Sequence, residues 1–214
     1  MSTPPKVVLT ELELDALTEL VNLAVSKAAF GLAEMVHEEV SLSVPKVALV
    51  SREDAILAMA EHKWANLVAV HQMFAGDIDG RALLIFPEEK SLELVRAVVG
   101  GEFTLEEILE LEQEALAETG NVILNGCLAT IANMLERTLK ISLPEVLRGS
   151  SAEVFNLEPP PRDGGSVLFV YINFTLRRRD IEGYIAMLMD LPSLSSLQVL
   201  LGEFIRRTTG TPQA

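Results

Sequence analysis

The chain has 214 residues, 49% of them apolar, so it can bury a sizeable core and is not a disordered chain. Its formal net charge of −14, from 31 acids and 17 bases, argues against nucleic acid or an anionic membrane surface as a main partner, because both demand a basic footprint. A single cysteine, Cys127, excludes an intramolecular disulfide and a CxxC-type zinc site.

The N-terminus, MSTPPKVVLT, has neither a basic start nor a long apolar stretch, so no signal peptide is expected. No uninterrupted apolar run approaches the ~18–20 residues that span a bilayer. The expectation is a soluble, cytoplasmic protein. Residues 10–35, dense in Ala, Leu, Val and Glu, predict a helix capped by Thr10. Residues 40–50 alternate and predict a strand around Pro45, where proline implies an edge, a bulge or a strand end. A short helix is expected over 52–60. Strands are expected over 65–75 and 80–86, joined by the turn Gly76-Asp77-Ile78-Asp79-Gly80. Residues 88–99 predict a helix stopped by Gly100-Gly101. The second half follows a similar order: a helix over 105–137, Pro144 beyond it, a loop at 158–165, strands over 166–176 and 183–189, and a last helix over 193–206. The basic run Arg177-Arg178-Arg179 reads as a solvated strand end or turn. Cys127 lies in an apolar helical pattern and reads as a core residue.

One pattern occurs twice. Asp15, Glu19, Asn22 and Pro45 are followed, at a constant offset of 99, by Glu114, Glu118, Asn121 and Pro144. Two further echoes keep the same order. Asp77-Ile78-Asp79-Gly80 is matched by Asp180-Ile181-Glu182-Gly183, and Gly101-Glu102-Phe103 by Gly202-Glu203-Phe204. The four extra residues in the first echo fit an insertion in the Pro-rich loop. The expected fold is α+β: residues 1–214 form a single domain of two internally duplicated α-β-β-α halves (about 10–103 and 106–206), related by a pseudo-two-fold axis. Their helices pack on an antiparallel sheet.

Positions i, i+4 and i+7 fall at 0°, about 40° and about −20° around a helix. Asp15, Glu19 and Asn22 therefore share one face, as do Glu114, Glu118 and Asn121. Apolar residues flank this narrow stripe: Leu12, Leu23, Val21 and Val25 on the first helix, and Ala115, Val122, Ala117, Leu124 and Leu128 on the second. The stripe reads as a polar ridge on a mostly buried helix. Asparagine is neither nucleophile nor base, but its amide can hold one water in a fixed orientation. Glutamate can engage a lysine. No nucleophile–base set is visible, and His37, His62 and His71 lack metal-ligand spacing, so they read as structural or surface residues. Such a ridge makes sense where another protein supplies the rest of the site.

These residues resemble the signature of the CheC/CheX/FliY chemotaxis phosphatases: an acid or Ser, then Glu four residues on, Asn three further, and Pro twenty-three beyond. Glu19, Asn22 and Pro45 match it, with Asp15 leading. Glu118, Asn121 and Pro144 match it again, with Glu114 where Asp or Ser is usual. Two sites, and a chain ending soon after its last helix, resemble the CheC members. The resemblance implies a phosphatase acting on the aspartyl phosphate of a CheY-like receiver. Its catalytic residues would be Glu19, Asn22, Glu118 and Asn121, with Asp15 and Glu114 supporting and Pro45 and Pro144 structural. It implies no cofactor or metal of its own and Mg²⁺ on the receiver. It also implies a monomer that can bind CheD, a receptor deamidase. The alternative it leaves open is a CheD-binding regulatory module with weak or no phosphatase activity. A flagellar-switch component is a third reading.

Overall fold

The computed structural model describes residues 7–42, 46–61, 64, 66–101, 104–156, 166–176 and 179–209. Pro45, His62, Arg177, Arg178, Glu102, Phe103 and the loop at 158–165 lie outside the described residues. The elements are α1 (Glu11–Val36), β1 (Val40–Leu42), β2 (Lys46–Ser51), α2 (Arg52–Glu61), β3 (Leu67–Ala75), β4 (Gly80–Pro87), α3 (Glu88–Val99), α4 (Leu105–Met134), β5 (Lys140–Ile141), β6 (Glu145–Gly149), α5 (Ser151–Phe155), β7 (Ser166–Leu176), β8 (Arg179–Met189) and α6 (Leu191–Thr209). The order α-β-β-α-β-β-α thus runs twice.

All strand pairs are antiparallel and join in one sheet, ordered β1-β7-β8-β4-β3-β5, with β2 also on β7 and β6 also on β3. The strands alternate between two cores. Val68, Val70, Leu84, Phe86, Val170 and Ile172 face the cluster containing α1, α3, α4 and α6. Leu67, Ala69, Leu83, Ile85, Phe169 and Tyr184 face the smaller cluster under α2 and α5. Covered on both faces, β3 and β4 read as nearly continuous apolar runs. The smaller core is aromatic, with Phe169 stacked on Tyr184 at 4.8 Å between centroids.

The two long helices begin with reciprocal capping boxes, Thr10 with Glu13 and Thr104 with Glu107. Both are long and apolar enough, by length and composition alone, to cross a membrane. Their apolar faces are used otherwise: Leu17, Leu20, Ala24, Ala28, Leu116, Ile123, Leu124 and Leu128 are all at most 1–2% exposed in the shared core. Cys127 is buried among them, which pushes its thiol up to about 12.

The halves correspond strand by strand. Val70 pairs with Val146 while Val170 pairs with Val47; Leu67 pairs with Gly149 while Val167 pairs with Val50. β3 maps onto β7 by a shift of 100, and β5–β6 onto β1–β2 by 99. This register corrects one expectation. Phe74 faces Gly80 and Phe174 faces Ile181, so Gly80 corresponds to Ile181, not to Gly183. The Asp-Ile-Asp-Gly echo is two residues out of register, and its drift is not explained by an insertion in the Pro-rich loop alone. The sequence reading also omitted β5, β6 and α5. It ended α4 too late as well: Glu136, with φ of 56°, turns the chain away after the Leu135 cap. β8 begins at Arg179 rather than 183, and β1 and β2 are separate strands on either side of residues 43–45.

His71 sits opposite Glu145 on the α5 side, with Nε2 3.3 Å from Oε2. That spacing meets an ion-pair distance, yet burial, helped by Arg81, drives the imidazole below its ordinary value against the pull of Glu145. Nδ1 is buried without a partner, so a proton there would be unsatisfied. The contact is therefore a neutral hydrogen bond from Nε2–H to the carboxylate. Because the folded imidazole titrates lower than the unfolded one, stability is full above about pH 6.5 and falls as the unfolded chain gains its proton below that. Urea unfolding between about pH 7.5 and pH 5.5 should therefore show wild type losing more stability than His71→Gln. Equal losses would contradict the assignment.

Candidate functional site

The ridge foreseen on each long helix is present. Asp15, Glu19, Glu114 and Glu118 are exposed, whereas Asn22 and Asn121 are partly buried at the foot of each ridge. Among the described residues neither Glu19 nor Glu118 forms an ion pair, and both carboxylates face solvent. The flanks differ from expectation on α1. Val21 and Val25 are buried, but Leu12 and Leu23 are 58% and 42% exposed. The first ridge therefore stands beside open apolar surface.

α1 and α4 run in opposite senses where they touch. A Cβ on Gly31 would lie 3.0 Å from Val122 Cγ1, and one on Gly126 would lie 3.3 Å from Ala28 Cα. Each ridge lies N-terminal to this contact, so the two candidate sites point toward opposite ends of the helix pair.

The second site is built more tightly onto the sheet. Gly120, just before Asn121, rests on β3: a Cβ there would collide with the Val70 side chain. This closeness lets Asn121 reach Gln72, a fully buried glutamine on the helix-facing side of β3. Gln72 Nε2 donates to the Ser142 carbonyl at 2.9 Å and is shared between Asn121 Oδ1 at 3.3 Å and Asn125 Oδ1 at 3.4 Å. Asn125 Nδ2 donates to Asn121 Oδ1 at 2.7 Å. The backbone carbonyl of Ser142 can only accept, so the nitrogen of Gln72 must face it. That nitrogen can only donate, so the oxygens of both asparagines must face Gln72. Asn121 Oδ1 is thus saturated by two donors, and its NH₂ is the group left to present outward.

Pro144 belongs to the same assembly. Between the pairs Phe74–Ile141 and His71–Glu145, two β3 residues oppose three residues, 142–144, which makes a bulge. Proline, with no N–H to donate, is tolerated there. Within the bulge, Met73 N donates to Ser142 Oγ at 2.9 Å and Ser142 N donates to Met73 O at 2.9 Å. The Ser142 carbonyl is left facing Gln72. The long helix-to-proline spacing therefore joins a ridge to the bulge beneath it. In the other half, Pro45 lies outside the described residues.

Among the described residues, the first site lacks the supports given by Gln72 and Asn125. Asn22 Oδ1 is buried and has no hydrogen-bond partner. Ser26 occupies the place of Asn125, and its hydroxyl donates to the Asn22 backbone carbonyl at 2.8 Å. By strand register the place of Gln72 is taken by Ile172, which is fully buried and cannot donate. Gln72, Asn125 and Ser142 were not singled out from the sequence. A lone glutamine in the apolar run LVAVHQMFA, on the core-facing phase, was the available signal. No group of three or more His, Cys, Asp or Glu that could hold a metal occurs among the described residues.

The family described as Chemotaxis phosphatase CheX matches residues 68–160. CheY-P phosphatase CheC of Bacillus subtilis (strain 168) is 23% identical over 199 residues, covering 90% of this chain and 95% of the relative. The CheC1 protein of Halobacterium salinarum is 25% identical over 144 residues, 66% of this chain and 71% of its own. Thermotoga maritima FliY superposes with a TM-score of 0.74 at 19% identity, covering 92% of this chain and all of the FliY chain (100%). The chain is thus similar to the CheC/CheX/FliY proteins, in sequence to the CheC relatives and in fold to FliY. The fold likeness extends to the FliM middle domain of H. pylori, with a TM-score of 0.60 at 11% identity over 90% of this chain.

The seating of α4 on β3 can be tested directly. Gly120→Ala should destabilise the protein by about 1–3 kcal/mol, less any gain in helix propensity, because Val70 cannot withdraw without opening the core. Adding Val70→Ala should restore part of the loss in urea unfolding. An unchanged midpoint for Gly120→Ala would show that the helix stands off the strand.

Proposed function

We propose that this protein is a phosphatase for the aspartyl phosphate of a CheY-like response regulator. The observation that carries the reading is the doubled ridge: on each long helix an exposed Glu, without an ion pair among the described residues, stands above a recessed Asn. The match of residues 68–160 to the chemotaxis phosphatase CheX family and the CheY-P phosphatase names of two relatives support it.

The chemistry requires little of this chain beyond placement. Hydrolysis of an acyl phosphate needs a water held in line with the phosphorus and stabilisation of charge on the phosphoryl oxygens. Mg²⁺ bound by the receiver supplies the second; this chain's residues would supply the first. In the docked state Glu19 or Glu118 pairs with a lysine of the receiver, fixing the approach of the ridge. Asp15 and Glu114, one turn earlier on the same face, extend the contact. The Asn22 or Asn121 amide then donates to one lone pair of a water, leaving another directed at phosphorus. The carboxylates of Glu114 and Asp15 are alike in charge and differ by one methylene, so both can serve this supporting role.

The test is decay of phosphate on a CheY-type receiver, phosphorylated with acetyl phosphate. Asn22→Ala with Asn121→Ala should slow the accelerated decay by about a hundredfold or more while leaving the fold intact by circular dichroism. Each single variant should retain part of the activity. Undiminished acceleration by the double variant would overturn the reading. Wild-type binding to CheD with no acceleration of decay would favour the regulatory-module reading instead.

A further inference from the structure

Gln72 is costly where it stands. It is fully buried on a β-strand, and its own Oε1 has no partner. The corresponding place in the other half holds Ile172, which satisfies the same core without any polar group. A polar residue kept at such a place should do something that isoleucine does not. What it does here is place both hydrogens of Nε2: one on the Ser142 carbonyl in the bulge, the other shared by the Asn121 and Asn125 oxygens. With Asn125 it closes a ring of side chains around Asn121 Oδ1.

We infer that Gln72 is a positioning residue of the second site, locking the Asn121 carboxamide with its NH₂ outward. This rests on the phosphatase reading above and deepens it. An asparagine free to rotate about its last torsion presents oxygen or nitrogen by turns. A locked one presents only N–H, which suits donation to a water lone pair and not acceptance of a water proton. Preorganisation of this kind acts on turnover rather than on docking, because Gln72 is buried beneath the surface a partner touches. Among the described residues Asn22 has no such lock: Ile172 and Ser26 leave its Oδ1 without a donor.

The test isolates each site. With Asn22→Ala removing the first, Gln72→Met keeps the buried volume but removes the donor. It should lower kcat for dephosphorylation of an acetyl-phosphate-charged CheY-type receiver by roughly tenfold or more, with KM unchanged. With Asn121→Ala removing the second site, Ile172→Gln should raise kcat at the first. The Asn121 side-chain NH₂ gives a readout that needs no receiver: its ¹⁵N order parameter should be high in wild type and fall in Gln72→Met. An unchanged kcat and an equally ordered Asn121 in Gln72→Met would overturn the inference. If Asn22→Ala/Asn121→Ala abolishes turnover but Gln72→Met does not slow it, the phosphatase reading stands and the lock alone fails. If the double asparagine variant stays active, the phosphatase reading itself fails, and the order parameter still decides whether Gln72 holds Asn121.

Discussion

The contact of Gly120 with Val70 sets how deep α4 lies on the sheet, and the second site is built on that depth. A side chain at 120 would lift the helix from β3. Asn121 would then lose its reach to Gln72, and the bulge at 142–144 would face a gap. The corresponding residue of α1 is Val21, so the first helix carries a full side chain where the fourth has none. Two halves with the same strand register therefore hold their helices differently, and the difference falls beneath the residues that match the family signature.

The rest of the architecture can be read from that constraint. A helix can hold a polar ridge in place only if the face behind the ridge is packed. α1 and α4 achieve this by packing on each other through Gly31, Ala28 and Gly126, and on the sheet through their leucines and valines. The glutamates then stand clear in solvent while the asparagines sit at the boundary, where an amide can be held from below and still reach outward. The fold itself does not dictate this use. The FliM middle domain shares the fold at 11% identity, so the argument for function rests on the site residues.

Much of this was legible in the sequence because helical periodicity is local. The spacing of Asp15, Glu19 and Asn22 projects them on one face whatever the helix packs against, and Thr10 and Thr104 mark the starts chemically. What escaped was non-local. β5 and β6 are short, carry Lys140, Glu145 and Arg148, and exist because β3 offers them an edge. α5 has only five residues, although the Ser150–Glu153 capping box announces its start. The Asp-Ile-Asp-Gly echo misled because hairpin turns favour the same few residues, whereas pairing register is set by the whole sheet. Gln72 meets Asn121 across 49 positions. Nothing in local periodicity joins them; the bulge and the glycine do.

The central claim is geometric: the ridge enters a receiver's phosphorylation site and sets an amide beside the attacking water. The most direct measurement is a crystal structure of this protein bound to a CheY-type receiver carrying beryllofluoride and Mg²⁺, the fluoride complex standing for the phosphoryl group. The account predicts Glu118 on a receiver lysine and the Asn121 NH₂ beside the beryllofluoride, opposite the aspartyl oxygen, with Oδ1 still on Gln72. A receiver bound elsewhere, with both ridges open to solvent, would contradict it.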